Sequence, residues 1–177
     1  MLGPTLETDR LILRPPMLED LDPWTEMMAD EETGRFIGGI MPRAVVFRLL
    51  ATMVGHWYLK GYGMFSVIEK ESGLWVGRLG PWNPEGWPGQ EVGWGLSRAS
   101  WGKGYGSEGA TAAIDWAFER LGWEDMIHCI HPDNANSINL ATRLGSTYRG
   151  HAKLPAPLDL PVLNYGQTRE EWRARRR

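Results

Sequence analysis

Trp101-Gly102-Lys103-Gly104-Tyr105-Gly106 is the stretch on which the reading of this chain turns. It lies between a strand-like run, Glu91 to Ser97, and a helix-like run, Ser107 to Leu121. Glycines at 102, 104 and 106 let backbone amides approach a ligand and adopt φ values that a Cβ would forbid. The helix that follows begins with unpaired N–H groups and the positive end of its dipole facing the loop. Loop and helix end together make a site for the phosphate or pyrophosphate of a cofactor.

Glycine loops are ambiguous, so the neighbours matter. Gly104 to Gly109 matches G-x-G-x-x-G, the dinucleotide fingerprint, and Glu124 lies about the right distance downstream. In that fingerprint the acid closes the second strand, whereas Glu124 and Asp125 stand before the run Met126 to His131. The fingerprint also opens a βαβ unit, whereas here a long stretch rich in strand and hairpin signals comes first. A Walker-type loop fails because no G-K-[ST] follows four spacer residues. A plain strand-to-helix turn is the remaining alternative.

Upstream, Arg10 to Arg14 alternates like a strand, and Asp20 or Asp22 caps a helix with Pro23 in its first turn, running to about Ala29. After Pro42 and Arg43, Val46, Leu49, Leu50, Met53 and Trp57 recur at helical spacing up to Gly61. His56 beside that stripe reads as a helix-surface residue. Met64 to Glu69 and Leu74 to Leu79 read as a hairpin about Lys70-Glu71-Ser72-Gly73. Gly80 to Gly89, rich in Pro and Gly, reads as a long loop.

In Glu91 to Ser97, Val92, Trp94 and Leu96 face one way and Glu91, Gly93, Gly95 and Ser97 the other. Two glycines on one face of an interior strand remove side chains where something else must pack or approach, as an extended cofactor arm would. Downstream, Ala110, Ala113, Ile114, Ala117, Phe118 and Leu121 share a helix face, with Gly122 as a stop. Met126 to His131 then reads as a strand parallel to Glu91–Ser97, because a helix separates them. A helix from about Asn136 to Leu144, stopped by Gly145, and strands near Thr147 to His151 and Val162 to Gln167 follow. The tail Arg173 to Arg177 reads as solvated.

The chain has 177 residues, which points to one domain. A formal charge of −3 and a pI near 5.8 give no reason to expect nucleic acid or an anionic membrane as partner. The single cysteine, Cys129, excludes an intrachain disulfide and fits a reducing compartment. No apolar run is long enough to span a membrane and no signal-peptide pattern opens the chain, so the expectation is a soluble, cytoplasmic protein. Cys129 and His131 share a strand face, but no further ligands are spaced nearby, so no metal is expected. Of the ten Trp, Trp82, Trp87, Trp94 and Trp101 gather around the proposed site, and core packing is expected for Trp94 and Trp116.

The glycine loop, its strand and helix, and the segment Pro132-Asp133-Asn134-Ala135-Asn136-Ser137 together resemble the GNAT superfamily of N-acetyltransferases. They are most similar to its branch of ribosomal-protein N-terminal acetyltransferases. Leu6 to Arg14 is similar to that branch's opening strand, N-x-x-S is met by Asn134 and Ser137, and Arg143-Leu144-Gly145 supplies R-L-G. Trp101 stands where many superfamily members carry Gln or Arg, and an aromatic there is common in this branch.

The resemblance implies an α/β (α+β) fold: a central mixed, mostly antiparallel sheet, flanked by helices, with one parallel pair splayed at the cofactor. It implies acetyl-CoA as co-substrate, its phosphates on Gly102, Lys103, Gly104, Tyr105, Gly106 and Ser107, with Trp101 at the head of the loop. The pantetheine arm would run along Gly95 to Ser97, so Leu96 and Ser97 join the set. By the same resemblance Asn134 contacts that arm and Ser137 lies near the sulfur. The partners implied are acetyl-CoA and an amine acceptor, with a homodimer as open as a monomer.

The chemistry needs a neutral amine, a polarised carbonyl and a proton for the leaving thiolate. An α-amino group, with a pKa near 8, is deprotonated more easily than a lysine near 10.4. Glu91 is the candidate base, being on the face of the open glycines, with an exposed strand carboxylate as the alternative. A backbone N–H around Trp94 to Leu96 could hold the oxyanion. Ser137 could protonate the sulfur or could equally be a helix N-cap. The Tyr that many GNAT enzymes carry one turn further along is Ala141 here. Trp82 and Trp87, with Glu85 between them, are either an aromatic wall for a cationic amine or loop packing. The expected activity is acyl-CoA-dependent N-acyltransfer by direct attack. The alternative from another class is a catalytically inactive CoA-thioester-binding sensor.

Overall fold

A computed structural model describes residues 2–176. Strands β1 (Leu6–Glu7) and β2 (Leu11–Arg14) lead to helices α1 (Leu21–Ala29), α2 (Glu31–Gly34) and α3 (Arg43–Lys60). Strands β3 (Phe65–Glu69), β4 (Trp75–Trp82) and β5 (Glu91–Leu96) come next, then α4 (Tyr105–Glu119) and β6 (Asp125–Ile130). Helix α5 (Ala135–Arg143), strands β7 (Thr147–Lys153) and β8 (Pro161–Thr168) and helix α6 (Arg169–Arg175) complete the chain. The strands form one sheet in the order β1-β2-β3-β4-β5-β6-β8-β7. Every neighbouring pair is antiparallel except β5–β6.

Helix α4 lies on one face of the sheet. Ala110, Ala113, Ile114, Ala117 and Phe118 are fully buried, and small side chains let the helix settle close. A Cβ at Gly109 would stand 2.7 Å from Leu79 Cδ2, so only glycine permits that approach. Arg78, next to Leu79 on β4, points to the other face, where its guanidinium lies 5.5 Å from the Trp24 ring of α1. There α1 and α3 form a second core around Trp24, Met28, Val46, Leu50 and Met53.

Three expectations are corrected. Strand β4 runs on through Gly80-Pro81-Trp82, because these pair with Glu91 to Gly93, so the loop is shorter than its Pro and Gly content suggested. His56 is buried: its Nδ1 meets the Tyr62 carbonyl at 2.7 Å and its ring stacks on Trp82 at 4.5 Å. The C-terminal arginines are not a loose tail. Thr168 and Glu171 form a capping box that starts α6, Trp172 is buried, and Arg173 and Arg176 pair with Glu119 and Asp115 of α4. Arg177 lies outside the described residues.

Candidate active site

Strands β5 and β6 touch at one register point, Glu91 opposite Ile127, and part beyond it. The Ser97 N–H donates to the Val76 carbonyl at 2.9 Å. Odd-numbered residues of β5 therefore turn their peptide groups to β4, and Val92, Trp94 and Leu96 turn theirs to the split. Side chains close its narrow end: His128 Nδ1 reaches the Val92 carbonyl at 2.6 Å, and Glu91 Oε1 accepts from the Cys129 N–H at 3.1 Å. The Leu96 carbonyl accepts from the Trp101 indole at 2.9 Å. The Trp94 and Leu96 N–H groups face the split with no strand opposite.

This corrects the expected path for an extended ligand. Ser97 has both backbone groups occupied, since its carbonyl accepts from the Ser100 N–H, and its hydroxyl lies 2.9 Å from that of Ser100. Gly95 turns to β4. Of the stretch 95 to 97, only Leu96 offers a backbone group to the split, together with Trp94 before it.

At the wide end, Gly102 and Gly104 have φ of 74° and 83°, values that make glycine the natural residue there. Gly104 caps α4 without a side chain, and the Glu108 N–H makes the helix's first bond, to the Gly104 carbonyl. The N–H groups of Tyr105, Gly106 and Ser107 have no intrahelical partner. Open donors, a helix dipole and a glycine backbone fit a phosphate. Lys103 is exposed beside them. The Tyr105 ring is buried and its hydroxyl is bonded to Glu69, so what it offers the loop is its N–H. Sequence reasoning passes over Arg10, which pairs with Glu108 at 2.6 Å, donates to the Lys103 carbonyl at 2.9 Å and lies over the Tyr105 ring. It ties the N-terminal hairpin to the loop.

Between the split and the α1–α3 layer lies a cavity of about 250 Å³. Glu91 is on its wall, only 6% exposed, so it is no surface carboxylate. Burial pushes its pKa up to about 7, against the opposing pull of the Cys129 N–H, the Trp87 indole and the Arg78 charge. The Trp87 Nε1 donates to Glu91 Oε2 at 2.5 Å. Trp82 stands edge-on to Trp87, and both line the cavity. The packed indoles thus also face the cavity; Glu85 is exposed and outside the lining.

Asn134 is the N-cap of α5, its Oδ1 accepting from the Ser137 N–H at 3.1 Å. Ser137 is thus not the cap. Its hydroxyl accepts from the Trp94 indole at 3.1 Å, which leaves the hydroxyl proton free to donate. Trp94 and Trp116 do pack against the core, as expected, and Trp94 lines the cavity as well. Burial and the adjacent Glu91 push the Cys129 thiol up, which keeps it from acting as a thiolate.

Two further residues escape sequence reasoning. His128 is held neutral by burial, its pKa brought down to about 4. With Nδ1–H donated to Val92, its Nε2 accepts from Ser146, which also receives a bond from Gln167. Arg78 lines the cavity opposite Gly95. The signal for each was a charged or titratable residue inside an apolar strand, as in Val76-Gly77-Arg78-Leu79 and Met126-Ile127-His128-Cys129-Ile130.

With this geometry in hand, comparison with known proteins is direct. A family model, the acetyltransferase (GNAT) domain, matches residues 10–147. The uncharacterized N-acetyltransferase p20 of Bacillus licheniformis is 33% identical over 150 residues, 82% of this chain and 84% of that one. An acetyltransferase structure from Agrobacterium tumefaciens superposes with a TM-score of 0.83 at 30% identity, covering 94% of this chain and 95% of the other. A structure proposed to be a ribosomal-protein-serine acetyltransferase from Vibrio cholerae gives 0.77 at 20% identity, over 93% and 97% of the two chains. That last likeness is one of fold. The chain belongs to the GNAT acetyltransferase family and is an acetyltransferase, of a family that takes its acetyl group from acetyl-CoA.

Proposed function

We propose that this enzyme acetylates a primary amine, on a protein N-terminus or a small molecule, by direct attack, with Glu91 as base. The observation that carries this reading is the buried Glu91 carboxylate, poised near neutrality on the cavity wall at the head of the split. Its pKa near 7 suits it to accept a proton at physiological pH. When bound, acetyl-CoA supplies the acetyl group as an activated thioester. The residues that would hold it are Trp101, the N–H groups of Gly102 to Ser107, Leu96 and Asn134.

The amine nitrogen bonds to the acetyl carbon as the carbon–sulfur bond breaks. Glu91 takes the proton the amine gives up, directly or through water, and Ser137 is the hydroxyl available to the thiolate. The Trp94 N–H is available to negative charge on the acyl oxygen. Direct attack is favoured over a covalent acyl-enzyme because the Cys129 thiol is held protonated.

Leu6 to Arg14 and the aromatic Trp101 support the ribosomal-protein N-terminal acetyltransferase-like branch. The described residues share one sheet, which supports a single domain. Among them no helix is long and apolar enough to cross a membrane. The acidic balance and lone cysteine support a cytoplasmic enzyme without a nucleic-acid partner. Incubation with acetyl-CoA and a panel of amines should yield N-acetyl product and CoA in equal amounts. Acetyl-CoA binding without product from any amine would instead make the protein a thioester sensor.

A further inference from the structure

Arg78 is a charged group on the cavity wall that the reaction leaves unused. It sits on β4 between apolar neighbours, and its register partner on β5 is Gly95. A Cβ at Gly95 would lie 3.9 Å from the Arg78 guanidinium carbon, so the missing side chain opens the guanidinium to the cavity. Its Nε is sealed from solvent and has no hydrogen-bond partner. Its Nη1 reaches only the sulfur of Met64, at 2.8 Å, and a thioether is a weak acceptor. Other arginines here find carboxylates, as Arg14 does with Asp20 and Arg149 with Asp125. Among the described residues Arg78 has no carboxylate within 4.0 Å. A planar guanidinium left with open donors in a largely apolar cavity matches one ligand chemistry best, a carboxylate.

The spacing narrows the ligand. A Cβ at Gly93 would lie 3.2 Å from Glu91 Oε1. Glu91 and Arg78 thus flank alternate residues on one strand face, Gly93 and Gly95, about 6.5–7 Å apart, with the Met64 methyl also packed against Gly93. With a hydrogen bond of about 3 Å at each end, the ligand's own amine and carboxylate are only a few bonds apart. Much of the remaining wall is apolar, with Phe36, Ile37, Met41, Met53, Trp82 and Leu158, and His131, Asn134 and Ser137 are among its polar residues.

We propose that Arg78 binds a carboxylate of the acceptor, so that the amine presented to Glu91 belongs to a free amino acid with an apolar side chain. This rests on the acetyl-transfer reading and selects among its acceptors. A polyamine or aminoglycoside would bring further positive charge against Arg78, and a protein N-terminus would bring an amide where the carboxylate belongs. A countercharge for Glu91 is the competing role for Arg78, since each group feels the other's charge, and kinetics separates the two.

The test compares L-methionine, L-methioninamide and 3-(methylthio)propylamine as acceptors with acetyl-CoA. These share a side chain and an amine, and only the first carries a carboxylate. Wild type should favour methionine in kcat/KM by at least about tenfold over either analogue. Arg78→Gln should lower kcat/KM for methionine by about 30-fold, mainly through KM, and change methioninamide less than about threefold. Arg78→Lys, which keeps the charge without the planar fork, should fall between.

A wild-type preference for the amide or the bare amine overturns the assignment, and that arm needs no variant to fold. Equal losses for all acceptors in Arg78→Gln, with an altered acid limb of the pH profile, also overturn it by assigning Arg78 to Glu91 alone. No product from these three, with product from other amines, removes the carboxylate site and leaves acetyl transfer standing. No product from any amine removes both.

Discussion

The role proposed for Glu91 rests on two opposed influences that meet on one carboxylate: burial raises its proton affinity, and the Cys129 N–H, the Trp87 indole and Arg78 lower it. Glu91→Gln should reduce kcat by about 10²- to 10⁴-fold while the acetyl-CoA Kd, measured by calorimetry, stays near wild type. Wild-type turnover in that variant from pH 6 to 9 would reassign the proton to water. In wild type, kcat/KM should rise with pH through an apparent pKa of about 7. Trp87→Phe removes a bond that favours the ionised form, so its acid limb should move to higher pH; a limb moving down would contradict the hydrogen bond. Stability follows the same group with a definite sign. The unfolded carboxyl ionises near 4.5 and the folded one near 7, so its stabilising contribution is full below 4.5 and lost as pH rises through 7. Glu91→Gln should lack that slope in denaturant titrations across this interval. Strand alternation was enough to show which way Glu91 points. Its burial was not legible, because it depends on β4 continuing through Trp82 and on Trp87 folding back, both beyond local pattern.

Among the elements, α4 was read nearly to its ends, since its alanine face and the glycines before it are local signals. Gly104→Asp tests its N-terminus. An aspartate there must adopt a φ of 83°, a strain of about 1 kcal/mol, and it sets a negative charge where the phosphate is proposed to bind. Acetyl-CoA affinity should fall by about 100-fold or more with a melting temperature changed by only a few degrees, and unchanged affinity in the folded variant would remove the loop from cofactor binding. Helix α6 is the opposite case. Its signal was present, Thr168 followed by Glu171 as a capping box, but the arginines beyond it suggested solvent. What anchors it is long-range: Trp172, 5% exposed, donates to Asp115 of α4 at 2.8 Å. Trp172→Ala should cost about 3–5 kcal/mol, or roughly 10 °C in melting temperature for a chain of this size, with kcat little affected in the folded fraction. A loss below about 1 kcal/mol would mean the helix is only loosely docked.

Across the whole molecule, two parts of a sheet meet at Glu91 and Ile127 and are tied beyond that point by side chains instead of a ladder. The tie through His128 links Gln167 of β8, Ser146, β6 and β5 in sequence. Its linkage runs opposite to that of Glu91. Unfolded histidine protonates near 6.5, whereas His128 stays neutral down to about 4. Its contribution is therefore full above 6.5 and lost as pH falls toward 4, by about 2–3 kcal/mol. His128→Gln should flatten that acid limb, and an unaltered limb would mean other groups set it. The parallel pair and its split were legible from the helix between two strands; the side chains that bridge it were not, since only the register brings His128 to Val92. The placement of indoles has an optical consequence. Trp24, Trp57, Trp123 and Trp172 are sealed in the interior and give a constant emission background. Trp101, 41% exposed, stands by the glycine loop proposed for acetyl-CoA, whereas Trp82 and Trp87 line the cavity proposed for the acceptor. Trp101→Phe should therefore remove the share of the acetyl-CoA signal that Trp101 carries, leaving any share from Trp94 on the cavity wall, with the acceptor's signal at Trp82 and Trp87 intact.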